Sequence, residues 1–390
     1  MKKSTNRNEQ NLKITGLGVI SGAGRNCKET KEILFGPRFS EPRKATNQPT
    51  VEVDIHTEIF TADSTRKSMR VNLLALAAID EALEMAKISA TEIKKYRVGV
   101  CIGSTVGCYG FEYAFTTEYN LKKYPAPERL LSHFKNNTAQ FIVNHFNLRG
   151  PVQLVSNACT SGADAIGIGA SWLKADLCDL VICGGSEAIL PQIYAGFKSM
   201  QLYAPEMCKP FDRSRRGLTL GEGAGFIILE KPDSPRKSQA QFLGFMSASD
   251  AYHTTAPHPE ARGLARATEH LLVKISRSKI DFINAHGTAT MHNDLVEGQF
   301  IKKLFPEVPV VATKGYTGHT LAAAGAVEAI FSILSLQTQT LPPSAGFSEP
   351  DPEINLTPTQ KIISGKYQTA LSFSLGFGGT NSVLALGTAP

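Results

Sequence analysis

The sequence predicts an α/β protein in which helices cover the faces of the sheets. Short β-rich runs alternate along the chain with segments whose apolar residues recur at helical spacing. Such alternation is typical of layered sheets with helices packed on them. The composition agrees, because 42% hydrophobic and 19% charged residues with 33 glycines indicate a globular chain with a sizeable core.

The predicted elements follow in chain order. Nine short runs, most of them rich in β-branched or aromatic residues, predict strands: 12–20, 97–102, 152–156, 180–183, 225–229, 282–284, 308–311, 370–373 and 382–386. Longer segments with apolar residues at helical spacing predict helices at 71–86, 162–175, 263–275 and 325–336.

Length and linker composition predict two core units. A chain of 390 residues exceeds the usual size of one domain. The polar stretch 231–239 contains Pro232 and Pro235 and is the predicted linker. We find no literal sequence repeat, so these data predict two parts, 1–230 and 240–390, without showing that they are alike.

Charge and cysteine usage exclude several classes of protein. The seven cysteines form no C-x-x-C pair, and an odd number argues for reduced thiols in a cytoplasmic protein. The amino terminus lacks a convincing export signal, and the sequence contains no uncharged apolar stretch long enough to insert in a membrane. The net charge of +6 is modest, and the basic clusters lack the interleaved aromatics of a nucleic-acid surface.

Cys159 is the candidate nucleophile. It lies between the predicted strand 152–156 and the predicted helix 162–175, so it occupies a strand-to-helix turn. Unpaired backbone N–H groups and the helix dipole favour negative charge there, so we expect the pKa of the thiol to fall below its usual value of about 8.5. The same N–H groups are suited to hold an oxyanion. A buried, inert cysteine is the alternative.

Two histidines and a glycine-rich loop are candidate partners of this cysteine. His286 follows the strand predicted at 282–284, and His319 follows the strand predicted at 308–311. A metal site lacks a third ligand with recognisable spacing, so no metal is predicted. In the stretch 376–381 the glycines permit close approach to a ligand, and the N–H of Phe377 is a candidate oxyanion donor.

Taken together, these motifs resemble the elongating β-ketoacyl-[acyl-carrier-protein] synthases of fatty-acid and polyketide synthesis. The resemblance extends from residues 15–19 to 376–381 and includes Asn157-Ala158-Cys159, the 209–213 and 221–225 segments, Ala251-Tyr252-His253, 286–290 and 313–319. It implies a thiolase-like fold, with two similar halves forming an αβαβα body. The half 1–230 would carry the cysteine and the half 240–390 both histidines.

The resemblance also implies a role for each matching residue. Cys159 would accept an acyl chain from the phosphopantetheine of an acyl carrier protein. His286 and His319 would stabilise the enolate formed when malonyl loses carbon dioxide, with Lys314 and Glu328 organising them. The N–H groups of Cys159 and Phe377 would form the oxyanion hole, with Phe377 also a gate. Pantetheine contacts are expected at Thr255, Thr288 and Thr290, and no metal or nicotinamide cofactor is expected.

Departures and alternatives leave the pathway open. His292 replaces a small or apolar residue, and Leu375 replaces a phenylalanine usual in the fatty-acid enzymes; a specialised polyketide or polyene pathway is therefore an alternative. Tyr194 and Leu375 are candidates for the acyl pocket. A chain-length partner of a heterodimeric ketosynthase is the alternative function, although such partners typically lose the nucleophile. A homodimer and a heterodimer both fit. For carrier docking, the candidates are Arg66, Lys67 and Arg70.

Overall fold

The computed structural model describes residues 11–36, 50–51, 53, 70–107, 109–128, 131, 137–275 and 279–390. The strands are β1 (Leu12–Ile20), β2 (Thr50–Val51), β3 (Val98–Gly103), β4 (Val152–Val155), β5 (Leu180–Glu187), β6 (Leu220–Gly221), β7 (Gly223–Glu230), β8 (Ala240–Ser249), β9 (Phe282–Ala285), β10 (Val310–Ala312), β11 (Thr340–Leu341), β12 (Ile363–Ser364), β13 (Thr369–Gly376) and β14 (Thr380–Thr388). The helices are α1 (Cys27–Phe35), α2 (Arg70–Met85), α3 (Tyr109–Asn120), α4 (Thr138–Phe146), α5 (Ser161–Lys174), α6 (Pro191–Ser199), α7 (Arg262–Ile275), α8 (Met291–Leu304), α9 (Lys314–Thr317) and α10 (Ala324–Thr338). Short 3₁₀ turns form at Ile93–Lys95 and Leu321–Ala323.

Ten of the described strands form one sheet, in the order β10-β9-β13-β14-β8-β1-β7-β5-β3-β4. From the β8–β1 junction outward, both sides follow the same pattern. In the first half, β7 pairs antiparallel with β1 and with β5, and β3 pairs parallel with β5 and with β4. In the second half, β14 likewise pairs antiparallel with β8 and with β13, and β9 pairs parallel with β13 and with β10. The second half therefore repeats the topology of the first, as the resemblance implied.

The core consists of one inner and two outer layers of apolar side chains. Alternate residues of β7 point to opposite faces, so Ile227 packs inward with α5 and α10 whereas Phe226 packs outward with α2. On the other half, α7 and α8 cover the outer face. Glycines allow the inner elements to approach closely: a Cβ on Gly225 would lie 2.8 Å from the backbone nitrogen of Val327. These layers confirm the predicted αβαβα body.

The apolar segment Leu321–Thr338 contains 18 residues and is long and apolar enough to cross a membrane. However, 89% of it is buried inside the protein, where it forms the inner layer beside α5. This burial identifies it as a core helix.

The nine predicted strands and four predicted helices are all present, with every predicted end within four residues of the observed one. Strand β8 was missed, although it lies immediately after the predicted linker and joins the two halves. The linker itself is anchored by Arg236, which donates hydrogen bonds to Glu230 at 2.6 Å and to the Tyr96 hydroxyl at 3.0 Å.

Candidate active site

Cys159 occupies the turn between β4 and α5, as predicted. Ala158 has a φ of 49°, and α5 begins at Ser161. Asp164 fixes this turn, because its Oδ2 accepts hydrogen bonds from Asn157 Nδ2 at 2.6 Å and from Thr160 Oγ1 at 2.9 Å. Ser382 of β14 donates to the other oxygen. The nucleophile turn is therefore held from both halves of the chain.

The expected low pKa of Cys159 is wrong. The side chain is buried, with 8% of its surface exposed, and burial is the largest effect, raising the pKa of the thiol to about 12. The nearby Lys314 and the N–H of Phe377 lower the pKa, whereas Glu187 and Glu328 raise it. Desolvation and the two buried carboxylates outweigh Lys314 and the Phe377 N–H, so the resting group is a thiol.

We expect alkylation of Cys159 by iodoacetamide to be slow at neutral pH and to rise about tenfold per pH unit up to at least about pH 10. Only the thiolate reacts, and its population rises with pH until the pKa is reached. Intact-protein mass spectrometry gives the rate, with Cys159→Ala reporting the background from other thiols. A plateau below about pH 8.5 would contradict the raised pKa.

His286 follows directly after β9 and is held by Glu297 and Lys314. Its backbone N–H donates to Glu297 at 2.6 Å, and the N–H of Gly287 donates to the same carboxylate at 2.8 Å. Its Nδ1 lies 3.1 Å from Lys314 Nζ. Its Nε2 is buried and has no hydrogen-bond partner among the described residues. The structure thus leaves one ring nitrogen available for a substrate.

His319 is positioned by the first half of the chain. Its backbone N–H donates to Thr219 at 2.7 Å, and its carbonyl accepts from Gly221 at 2.9 Å. The backbone N–H of Leu321 donates to Nδ1 of the ring at 3.1 Å. The two imidazoles lie edge to face, with centroids 5.1 Å apart.

These contacts determine the protonation of both rings. Burial and the Lys314 cation hold the pKa of each histidine well below its usual value, so both are neutral at physiological pH. Because each Nδ1 accepts a hydrogen bond from a donor, each Nε2 carries the proton. Each ring therefore offers an N–H donor.

The same tautomer disfavours a metal site. The Cys159 sulfur and one nitrogen from each ring lie within 4.8 Å of one another, a spacing compatible with metal ligands. A metal would need the Nε2 lone pair, and freeing it would place a proton on Nδ1 against the donors Leu321 N–H and Lys314. The donor set fits hydrogen bonding better than metal binding.

The predicted Lys314–Glu328 pair is confirmed. Lys314 Nζ donates to Glu328 Oε1 at 2.5 Å and also to the backbone carbonyl of His286. Both side chains are buried. Burial raises the pKa of Glu328 to about 7, while Lys314 opposes this shift. The pair places a cation directly behind His286.

The glycine-rich loop lies against the nucleophile. The backbone N–H of Phe377 lowers the pKa of the Cys159 thiol, and a Cβ on Gly376 would lie 3.2 Å from the Cys159 nitrogen and 2.5 Å from Thr380 Oγ1. Glycine at 376 thus keeps the two backbone amides close. The Phe377 ring stacks on Phe197, with centroids 5.8 Å apart.

One cavity of about 490 Å³ joins these groups. Its apolar side is formed by Phe197, Met200, Leu202, Leu218, Leu375 and Phe377, and its polar side includes Asp250, His253, Thr255, Thr288, Thr290 and His292. The hydroxyls of Thr288 and Thr290 lie 2.9 Å apart. The predicted site residues Thr255, Thr288, Thr290 and Leu375 therefore share the cavity with the nucleophile.

Two of the residue assignments need correction. Tyr194 is not among the cavity-lining residues: it stacks on Tyr203 at 4.9 Å, and Phe197, three positions later on α6, lines the cavity instead. Arg70 does not offer a free cation, because it pairs with Glu222 and donates to the carbonyl of Val53. Arg66 and Lys67 lie outside the described residues.

Sequence reasoning also missed three buried carboxylates around the site. Asp164 holds the cysteine turn, Glu297 holds the backbone of His286, and Glu187 lies near the thiol. Each lies in an ordinary helix or strand, with no motif to distinguish it. Their partners are defined only by the folded structure.

Comparison with known proteins adds independent findings. Residues 13–234 match the family model "Beta-ketoacyl synthase, N-terminal domain", and residues 239–348 match "Beta-ketoacyl synthase, C-terminal domain". The chain is 31% identical to a 3-oxoacyl-[acyl-carrier-protein] synthase 2 of Coxiella burnetii, covering 96% of this chain and 97% of that protein. It is 30% identical to the tetracenomycin polyketide synthase ketoacyl synthase alpha subunit of Streptomyces glaucescens, covering 98% of both.

Among solved structures, the ishigamide ketosynthase/chain length factor aligns with a TM-score of 0.87 and 27% identity. The alignment covers 98% of this chain and 100% of that one. The thiolase-like arrangement of the two halves is therefore shared along the full length of the described fold.

Proposed function

Because this chain belongs to the β-ketoacyl synthase family and is a condensing acyltransferase of that family, we propose that Cys159, His286 and His319 carry out its reaction. The reaction is the decarboxylative condensation of a cysteine-bound acyl chain with malonyl held on a carrier protein. The observation that supports these roles is the meeting of one buried thiol and two Nε2–H donors in a single cavity.

In the first half-reaction Cys159 accepts the acyl group. The sulfur attacks the thioester carbonyl, and the tetrahedral oxyanion accepts hydrogen bonds from the N–H groups of Cys159 and Phe377. The carbon–sulfur bond to pantetheine then breaks, and the proton of the Cys159 thiol ends on the departing pantetheine sulfur. Since one thiol replaces another, this half-reaction takes up no net proton.

In the second half-reaction the histidines act on malonyl. Their Nε2–H groups donate to the thioester carbonyl, and the electrons of the breaking bond to carbon dioxide move into an enolate. The enolate carbon attacks the acyl group on Cys159, and the carbon–sulfur bond breaks to release the 3-oxoacyl product and the Cys159 thiolate, which takes up one proton from solvent to restore the thiol. Lys314 behind His286 favours the negative enolate by its charge and keeps the ring neutral.

This chemistry needs no metal or nicotinamide. Release of carbon dioxide drives bond formation. The two substrates exchange no electrons with an external oxidant or reductant. Phosphopantetheine belongs to the carrier protein rather than to the enzyme. We place the reaction in the cytoplasm, where the six free cysteines among the described residues would remain reduced.

The test is reconstitution of one condensation. The purified chain is incubated with acyl-carrier and malonyl-carrier, and mass spectrometry follows the acyl adduct on Cys159 and the 3-oxoacyl product on the carrier. We expect both, alone or with a ketosynthase-like partner subunit. The absence of an adduct under both conditions would contradict the assignment.

The chain-length partner function is the weaker alternative. Such a subunit shapes the pocket of an active partner and does not need a nucleophile, whereas this chain retains Cys159 with both histidines in place. A thiolase is disfavoured because the chain contains no cysteine after Cys208. The similarity to the ishigamide ketosynthase/chain length factor is compatible with a heterodimer. In that case this chain would be the catalytic subunit.

The carrier protein must dock over the mouth of the cavity, since its pantetheine arm has to reach Cys159. The cavity-lining residues exposed to solvent mark this mouth, and they include Met200, His253, Thr255 and His292. Met200 itself is apolar and 39% exposed, and the exposed apolar residues Tyr252 (55%) and Met291 (53%) directly precede His253 and His292 in the chain. We call these three residues the apolar rim. The rim gives docking an apolar component that high salt does not weaken.

Replacing Tyr252 or Met291 with alanine is expected to raise the KM for acyl-carrier about tenfold, because each substitution removes apolar contact area at the mouth. Transfer from a carrier-free N-acetylcysteamine thioester should change little, since that substrate bypasses docking. Leu177→Ala is the matched control: Leu177 is 52% exposed and lies beyond the end of β5 opposite Glu187. Equal effects on both substrates would rule out a docking role for the rim.

A further inference from the structure

Glu187 ends β5 and is fully buried. Its carboxylate accepts hydrogen bonds from Ser104 Oγ at 3.1 Å, from Thr105 N–H at 2.9 Å and Oγ1 at 2.5 Å, and from Val106 N–H at 2.9 Å. It also accepts from the backbone N–H of Ala322 at 3.3 Å. Every partner is a donor, which is the environment of an ionised carboxylate.

These contacts join the two halves of the chain behind the active site. Ser104, Thr105 and Val106 follow β3 in the first half, whereas Ala322 belongs to the turn Leu321–Ala323 in the second. Gly185 lets the turn approach β5, because a Cβ there would lie 2.9 Å from the carbonyl oxygen of Ala322. Leu321 has a φ of 50° within this turn. The turn therefore depends on external support to keep its conformation.

The supported turn controls His319. The Leu321 N–H, one residue before the N–H bound by Glu187, donates to His319 Nδ1. That bond fixes the proton on Nε2, where the proposed reaction needs a donor. A displaced turn would free Nδ1 and allow the other tautomer, which presents a lone pair to the malonyl carbonyl instead of a proton.

We propose that Glu187 is a positioning residue that holds the Leu321–Ala323 turn and thereby keeps His319 as an Nε2–H donor. This inference rests on the proposed condensation for its catalytic part. The charge of Glu187 has a further consequence for Cys159, which can be measured without turnover.

The consequence for Cys159 is electrostatic. The charged groups that face Cys159 are Lys314, Glu187 and Glu328, and the two imidazoles are neutral. Glu187 is the larger of the two carboxylate effects that raise the pKa of Cys159. Removing its charge should therefore lower the pKa of the thiol, even though it damages the histidine site.

The test uses Glu187→Gln and Glu187→Asp in the full chain. For Glu187→Gln we expect malonyl-carrier decarboxylation to fall about tenfold, since one supporting contact is lost. Alkylation of Cys159 by iodoacetamide should become several-fold faster at about pH 8, with the pH–rate profile displaced to lower pH. Glu187→Asp keeps the charge, but its shorter side chain moves the carboxylate away from the hydrogen-bond donors. Decarboxylation should therefore fall, whereas the pH–rate profile of alkylation should stay where it is in the wild-type chain.

Glu81→Gln is the matched control. Glu81 is a half-buried carboxyl that accepts from the backbone N–H groups of Val19 at 2.9 Å and Cys27 at 2.7 Å, and its pKa is raised by burial like that of Glu187. A purely structural role for Glu187 would make both glutamine variants slow decarboxylation in proportion to their loss of thermal stability.

Opposite changes in alkylation and decarboxylation support the inference, and unchanged or jointly slowed rates overturn it. Alkylation needs no turnover. If the wild-type chain fails to decarboxylate malonyl-carrier, the condensation proposal fails, while the alkylation profiles of the two variants still decide the effect of Glu187 on the thiol.

Discussion

Cys159→Ala is expected to abolish acyl-enzyme formation and to lower condensation by at least about 10⁴-fold, because no other group replaces the sulfur as acyl carrier. Intact-protein mass spectrometry after incubation with acyl-carrier should show one adduct on the wild-type chain and none on the variant. The fold should tolerate the change, since the buried thiol makes few polar contacts.

Cys178→Ala provides the matched control. Cys178 is also a buried free thiol, but it precedes β5 at the end opposite Glu187. Its removal should leave the adduct and the condensation rate unchanged. Persistence of the adduct in Cys159→Ala would show that the acyl group is attached to a different residue and would contradict the assignment of Cys159 as the nucleophile.

The alternation of strands and helices could be predicted from sequence because most elements have strong local patterns. Strand β8 could not, since its apolar residues Phe242, Leu243, Phe245 and Met246 are clustered instead of alternating, and Gly244 interrupts them. Its extended conformation is stabilised by pairing with β1 and β14, because its own residues do not specify a strand. Tertiary context thus determined the strand at the centre of the sheet.

The site shows a similar division between local and non-local information. Cys159, His286 and His319 follow predicted strands, so their placement was accessible from sequence. The pKa of Cys159 was not, because it depends on burial depth and on Glu187 and Glu328 from distant positions. Local features predicted where the thiol lies, and only the assembled core determined its protonation.

His286→Ala and His319→Ala should each suppress malonyl decarboxylation by about 10²–10³-fold, the usual cost of removing one donor to a developing oxyanion. Acyl transfer to Cys159 should be partly retained, because the N–H groups of Cys159 and Phe377 remain. Single-turnover measurements of carbon dioxide release and of the acyl adduct separate the two steps. Equal loss of both would indicate that the histidines only maintain the structure.

Conservative variants and pH distinguish a donor role from a proton-accepting one. His319→Gln retains an N–H donor in place of Nε2–H and should recover part of the activity that His319→Ala loses, whereas His270→Ala, on the exposed surface of α7, should have no effect. Since the pKa of both active-site rings lies well below its usual value, they remain neutral donors as the pH falls from about 8 to about 6. The rings themselves should therefore cause no loss of decarboxylation over this range, and a change centred near pH 7 is expected from Glu328, whose pKa is about 7. Glu328→Gln should remove that change, whereas a histidine acting as a base with an ordinary pKa would still lose activity in this variant as it became protonated.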